Sequence, residues 1–390
     1  MVTTSLLVII YVTFISLGLP DAVLGSAWPT MMHEFAAPVW GAGLLQMTVS
    51  LCTIISSLNC ARMIRALGTG RLTAISVGLT AAALFGYSVV PGYAALLLLS
   101  IPLGLGAGAV DAAINNYVAL HCEARHMNWL HCFWGLGTIV GPMILSACLH
   151  AGMTWSIGYR AVSFLQIALC VVLFMTLNLW KQGGVPEEER SARVLSAKEV
   201  LALPGARFGL PMFLCYCGVE QIMLIWVPTF MVLVRGISDV QAALYGSVFC
   251  MGLTLGRLIS GFLAIRMLPK TLVRLGSVLM LTGFALMLIP VNVVIIAGVV
   301  LVGLGCAPVY PNVVQDTPVN YGAENSQAVI GVQMAFAYIG SMFMPTAFAY
   351  IASFTGFGIL PVFGLLITGV MAVLFGKMKR IVESRVQAEE

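Results

Sequence analysis

Three carboxylates lie inside long apolar stretches of this sequence: Asp21, Asp111 and Glu220. An acidic side chain at the centre of a membrane-spanning helix costs about 2.5–3.5 kcal/mol on insertion scales, so it is tolerated where it faces water or a polar partner. Burial disfavours the anion and brings proton uptake and release closer to neutral pH. We therefore predict proton-coupling roles for all three. The alternative for each is a structural hydrogen bond or a position near the lipid headgroups, and Glu220 could also be the fixed partner of a polar group.

Two neutral side chains could cooperate with Asp111. Asn115 follows it by four residues, so the two share one helix face, and an amide that both donates and accepts could hold a polyol beside the carboxylate. His131, near the start of the next apolar stretch, could relay a proton because an unperturbed imidazole titrates at about 6.5. The alternatives are an interhelical hydrogen bond for Asn115 and a satisfied interfacial position for His131.

Aromatic and amide side chains provide the remaining candidates for ligand binding. Trp134 is the better candidate for stacking on the C–H face of a sugar ring. Trp28 lies two helical turns beyond Asp21 and could either stack or anchor its helix at the membrane interface. The candidate polar lining consists of Gln46, Gln221, Gln241 and Gln333.

The composition places these residues in a membrane protein. Only 9% of residues are charged and 60% are hydrophobic, with a mean hydropathy of +1.00, whereas soluble domains carry about 25% charged residues. The net charge of +4 is too small and scattered for nucleic-acid binding. The ten cysteines lie mostly in apolar runs and lack metal-ligand spacing.

Twelve apolar segments are each long enough to span a bilayer, for which about 20 residues are needed. They divide into a six-helix half at residues 1–180, a polar linker at 181–208, a second half at 209–376 and a tail at 377–390. All but three of the 19 Lys and Arg residues fall in the tail, the linker or loops on the same side. The positive-inside rule then places both termini in the cytoplasm.

The two halves repeat one another. An offset of 199 residues aligns Asp21 with Glu220 and Pro29 with Pro228, and it also aligns a Gly-Leu-Gly run in helix 4 with one in helix 10. Duplicated six-helix halves are typical of carriers in which one half rocks against the other around a central site. We expect Asp21 and Asp111 to face a shared chamber between the halves.

With its duplicated six-helix halves, the sequence resembles the major facilitator superfamily. The loops SLNCARMIRALGTGR and GFLAIRMLPK resemble its G-x-x-x-D-R-x-G-R-R signature. Ala61 and Ile265 stand where the signature has an acidic residue. The basic residues of this cytoplasmic loop motif are Arg62, Arg65, Arg71 and Arg266.

Within the superfamily, the chain is most similar to the fucose–proton symporter (sugar permease) family. The similar segments are LGLPDAVLGSAWP, LGLGAGAVDAAINN, NWLHCFWGLGTIVGP and YCGVEQIMLIWVP. That family uses carboxylates of helices 1 and 4 for proton coupling and sugar recognition, and Asp21 and Asp111 match these positions. The resemblance implies an all-α membrane fold of twelve transmembrane helices in two pseudo-symmetric halves. It also implies symport of a neutral sugar, a hexose or deoxyhexose, by alternating access in a bacterial inner membrane.

Other classes of function are less favoured. No Walker-type phosphate-binding loop and no catalytic constellation occurs, so we expect a monomeric transporter rather than an enzyme, with no cofactor or metal and with a proton gradient as its energy source. Its partners would be a small-molecule substrate, protons and lipid. The run from Gly135 to Pro142 partly resembles the helix-5 signature of drug–proton antiporters, so export of drugs or small metabolites is the alternative. A non-transporting membrane sensor is a further competitor.

Overall fold

The computed structural model describes residues 3–37, 41–181, 194–237 and 239–389, and within these ranges all regular structure is helical. The helices are α1 (Thr4–Asp21), α2 (Val23–Glu34), α3 (Gly41–Leu67), α4 (Thr69–Tyr87), α5 (Tyr93–His121), α6 (Ala124–His150), α7 (Trp155–Met175), α8 (Leu177–Lys181), α9 (Ala197–Ala202), α10 (Ala206–Arg235), α11 (Asp239–Leu263), α12 (Pro269–Met287), α13 (Asn292–Cys306), α14 (Val309–Gln315), α15 (Thr317–Tyr321), α16 (Ala323–Thr355) and α17 (Leu360–Glu389), with a 3-10 turn at Phe357–Ile359.

The all-α membrane architecture predicted from the sequence is confirmed. In the part of the chain described, 10 helical segments are long and apolar enough to cross a membrane, and Val248–Leu263 is a shorter apolar helix. Helix α4 corresponds to the remaining predicted span; it is rich in Thr, Gly and Ala, and most of its residues are buried against α5 and α7. Residues 182–193 of the predicted linker lie outside the described ranges.

The chain forms two compact units. The N-terminal unit comprises Met1–Cys122, Leu130–Val194 and Ala323–Met334, and the C-terminal unit comprises Glu123–Trp129, Leu195–Gly322 and Ala335–Glu390. The first residues of α6 therefore belong to the C-terminal unit, and the first residues of α16 belong to the N-terminal unit. Within the N-terminal unit, Ser326 Oγ donates to Asn116 Oδ1 at 2.7 Å. Within the C-terminal unit, the amides of Asn128 and Asn312 face each other at 3.3–3.4 Å.

Glycine allows the helices of the N-terminal unit to approach closely. Gly104 and Gly108 of α5 pack against the backbone of α3, and Gly106 packs against the backbone of α4. A Cβ at any of these positions would overlap a neighbouring carbonyl oxygen. The alternating glycines therefore let α5 lie between two helices at once, which fixes the position of Asp111 one turn further along.

Candidate functional site

The first membrane-spanning segment is broken beside Asp21. Helix α1 ends at Asp21, Ala22 is the junction, and α2 begins at Val23. Pro20 causes the weakness because proline has no N–H to donate to the carbonyl four residues earlier. That carbonyl, Ser16 O, accepts instead from Gln166 Nε2 of α7 at 2.8 Å. Broken membrane helices are typical of substrate and ion sites in secondary transporters.

Asp21 is exposed at this break, and Trp134 of α6 holds it. The indole Nε1 of Trp134 donates to Asp21 Oδ2 at 2.9 Å. Helix α6 reaches this position because Gly137 and Gly141 lie directly on the backbone of α1, where a Cβ would overlap the carbonyls of Ile15 and Leu19. The glycine run of α6 thus has a packing role that brings Trp134 to Asp21.

Asp111, Asn115 and His131 form a second, buried group in the same unit. Asn115 Nδ2 donates to the carbonyl of Asp111 at 2.9 Å and to its carboxylate at 2.8 Å, and His131 Nε2 lies 3.1 Å from Asn115 Oδ1. A backbone carbonyl can only accept, so the amide nitrogen must face Asp111 and the amide oxygen must face His131. His131 Nε2 is therefore the donor in its hydrogen bond to Asn115 Oδ1.

A cavity adjoins Asp21. It has a volume of about 40 Å³ and lies within the N-terminal unit, between α1, α3, α4, α5 and α7. Gln46 is exposed and lines it together with Asp21, whereas Asp111 is not among its lining residues. The polar side chains of the lining are Thr13, Ser16, Asp21, Gln46, Thr80, Tyr87, Tyr159 and Gln166. The expected chamber shared by Asp21 and Asp111 between the two halves stays a prediction.

Glu220 lies in a separate network in the C-terminal unit. Its carboxylate is 3.3 Å from the guanidinium of Arg257, and the two side chains are only 14% and 4% exposed. The hydroxyl of Tyr216, one turn before Glu220, donates to the same carboxylate and also lies 3.0 Å from the carbonyl oxygen of Cys306. Glu220 is thus held between a cation and a hydroxyl group.

The other predicted site residues are more dispersed. Trp28 lies in the apolar core of the N-terminal unit, edge-on to Tyr93 with ring centroids 6.0 Å apart. Gln333 is buried and Gln221 is half-buried, while the side chain of Gln241 lies outside the described residues. The four loop arginines, all exposed, are Arg62, Arg65, Arg71 and Arg266. In the described ranges no cluster of His, Cys, Asp and Glu could hold a metal ion.

Two partners were missed by sequence reasoning. Arg257 stands inside an apolar helix of the same half of the sequence as Glu220, and buried charges of opposite sign are a signal for pairing that was not used. Gln166 was not considered at all. Pro20 could have indicated such a partner, because a proline inside a helix leaves the carbonyl four residues earlier without its backbone donor, and a polar side chain of another helix must then supply the hydrogen bond.

Comparison with known proteins assigns the family. The family model of the Major Facilitator Superfamily matches residues 10–345, so the chain belongs to this superfamily of membrane transporters. An uncharacterized MFS-type transporter of Yersinia pestis is 27% identical over 279 residues, which is 68% of each chain.

Solved structures show the same fold at low sequence identity. The E. coli fucose:proton symporter FucP is 15% identical with a TM-score of 0.73, over 97% of this chain and 99% of that chain. The proton:xylose symporter XylE is 11% identical with a TM-score of 0.74, over 95% and 94%. The human organic anion transporter MFSD10 is 15% identical with a TM-score of 0.74, over 95% and 98%. These likenesses extend to the fold and leave the substrate open.

Proposed function

We propose that the chain is a proton-coupled symporter of a neutral sugar that works by alternating access in a bacterial cytoplasmic membrane, with both termini in the cytoplasm. The observation that carries the proposal is the position of Asp21, an exposed carboxylate at the break in the first spanning helix, held by the indole of Trp134. Asp21 supplies a carboxylate that can accept a proton, and Trp134 supplies an aromatic surface on which a sugar ring can stack. The amide of Gln46 can form hydrogen bonds with sugar hydroxyls. The sugar–proton symporters among the structural neighbours support the same assignment.

The physical basis of coupling is the cost of moving a charge through a closed, dry intermediate. An ionised Asp21 is stable while the site is open to water but becomes costly when water is excluded. Protonation removes the charge, and sugar hydroxyls satisfy the polar groups that remain. Proton and sugar together therefore stabilise the occluded state more than either does alone, which is the differential affinity that a ligand-driven change requires.

Asp111 would sense the same event through its neighbours. A side-chain amide does not readily pass a proton along, so Asn115 connects Asp111 to His131 by polarisation rather than as a proton wire. A change of charge on Asp111 or on His131 therefore acts on the other group through the amide of Asn115.

Transport in proteoliposomes tests the proposal. Asp21→Asn keeps the shape and the indole contact but cannot ionise, so we expect it to retain sugar counterflow and to lose accumulation driven by an imposed pH gradient. Glu34→Gln is the matched control, because Glu34 also accepts from an indole, Trp155 Nε1 at 2.5 Å, yet does not line the cavity. Uphill accumulation by Asp21→Asn would contradict the proposed coupling.

The antiporter alternative makes the opposite prediction. Expression of an exporter would confer resistance to diverse apolar compounds, and sugar addition would leave the external pH unchanged. For the symporter, adding the correct sugar to an energy-depleted cell suspension makes the medium more alkaline.

A further inference from the structure

The cavity behind Asp21 is too small for a sugar but large enough for part of one. A buried water requires about 10–15 Å³ on a water-sized measure, so the observed 40 Å³ corresponds to about three waters. A hexose ring exceeds this space. A hydroxymethyl group, which is a single carbon that carries one hydroxyl group, fits within it.

The walls of the cavity are suited to such a group. The apolar part of the lining includes Leu17, Val49 and Leu103, which can pack against a methylene carbon. The carboxylate of Asp21 and the amide of Gln46 are exposed and can bind the more polar remainder of a ligand.

Most polar groups deeper in the lining already have partners. Thr80 Oγ1 donates to Gln166 Oε1 at 2.9 Å, and the amide nitrogen of Gln166 donates to the Ser16 carbonyl of α1. The hydroxyl of Tyr87 is bonded to Ser100 at 2.5 Å.

The hydroxyl of Tyr159 is different. Tyr159 is 1% exposed, and its oxygen has no hydrogen-bond partner among the described residues. A buried hydroxyl without a partner is destabilising, and a ligand hydroxyl that pairs with it recovers that loss.

We propose that this cavity is a specificity pocket for the hydroxymethyl arm of a hexose, with Tyr159 as the group that recognises the arm's hydroxyl. The inference rests on the proposed sugar transport and narrows it. A hexose would place its arm in the pocket and its ring at the Asp21 and Gln46 end. A 6-deoxy sugar would bring a methyl group that leaves Tyr159 unpaired, and a pentose would leave the pocket to water.

Binding to purified protein tests this with sugars that differ only in the arm. Each series holds the ring configuration constant: glucose, 6-deoxyglucose and xylose; galactose, 6-deoxygalactose and arabinose; mannose, 6-deoxymannose and lyxose. In the series that binds, we expect the hexose to bind roughly tenfold more tightly than its 6-deoxy analogue, the usual size of one net hydrogen bond. Equal affinities within that series would overturn the inference and leave sugar transport standing. Binding of none of these sugars would overturn both.

Two variants test the pocket itself. Tyr159→Phe removes only the unpaired hydroxyl, so the preference for the hexose over its 6-deoxy analogue should fall to about onefold. Tyr93→Phe is the matched control, because the hydroxyl of Tyr93 donates to the Gly41 carbonyl at 2.8 Å and does not line the cavity. In this control the preference for the hexose should persist.

Ala107→Val fills the cavity from α5, and we expect it to weaken hexose binding while pentose binding persists. A Tyr159→Phe protein with an unchanged preference would overturn the assignment of Tyr159.

Discussion

The buried pair of Glu220 and Arg257 gives the sharpest prediction about stability. With 14% and 4% of their side chains exposed, each charge depends on the other, and removing one partner of such a pair costs about 3–5 kcal/mol because the remaining charge is buried alone. We therefore expect Arg257→Met to lower the free energy of unfolding by that amount. Glu220→Gln combined with Arg257→Met removes both charges, and we expect it to be more stable than Arg257→Met alone by about 2 kcal/mol or more.

The assay is equilibrium unfolding of the purified protein in mixed micelles, followed by tryptophan fluorescence. Arg125→Met is the control, since Arg125 pairs with Glu123 at 3.1 Å but the two side chains are 34% and 69% exposed. Exposed pairs contribute about 0–1 kcal/mol, so this variant should be nearly unchanged. A double variant no more stable than Arg257→Met, or an Arg257→Met protein as stable as the wild type, would refute the reasoning.

Three further predictions concern the elements around the site. Gln166→Leu removes the donor that replaces the missing proline N–H, and we expect a loss of about 1–3 kcal/mol in the same unfolding assay together with weaker transport. Gly137→Ala forces α6 away from α1 and should lower the yield of folded protein in size-exclusion chromatography, whereas Gly43→Ala, where a Cβ meets nothing within 4 Å, should not. The side chain and backbone N–H of Ser196 donate to Glu199 and hold the pKa of that carboxyl below its usual range. The cap of α9 is therefore complete at neutral pH and is lost as the pH falls through the lowered pKa, which amide hydrogen exchange of residues 197–202 would detect; unchanged protection at acid pH would contradict this.

The membrane fold was predictable because hydrocarbon imposes a strong constraint on sequence. A spanning segment must be long, apolar and internally hydrogen-bonded, so the spanning segments can be located from apolar runs alone. Helix ends were less predictable. α3 continues to Leu67 and α17 to Glu389, well past the apolar runs, since a helix that leaves the bilayer can continue with polar residues.

The site was only partly predictable because its partners come from distant parts of the chain. The four-residue spacing of Asp111 and Asn115 is local, and the structure shows the expected pair. The contact of Asp21 with Trp134 spans 113 residues, and that of Glu220 with Arg257 spans 37. Spacing along one helix cannot specify such pairs, which depend on how glycine-rich faces bring different helices together.

The same limit applies to Trp28. Its predicted position, two helical turns beyond Asp21, assumed one continuous helix. The break at Ala22 interrupts that helix, and the ring lies in the core beside Tyr93. Its assignment to substrate binding stays a prediction, as do those of Gln221 and Gln333.

Proton uptake on sugar binding tests the central claim most directly. Calorimetric titration of the purified protein with its sugar, repeated near neutral pH in buffers of different ionisation enthalpy, measures the protons taken up for each sugar bound. We predict net proton uptake by the wild type and little or none by Asp21→Asn. Sugar binding by the wild type without any proton uptake across the pH range would contradict the account.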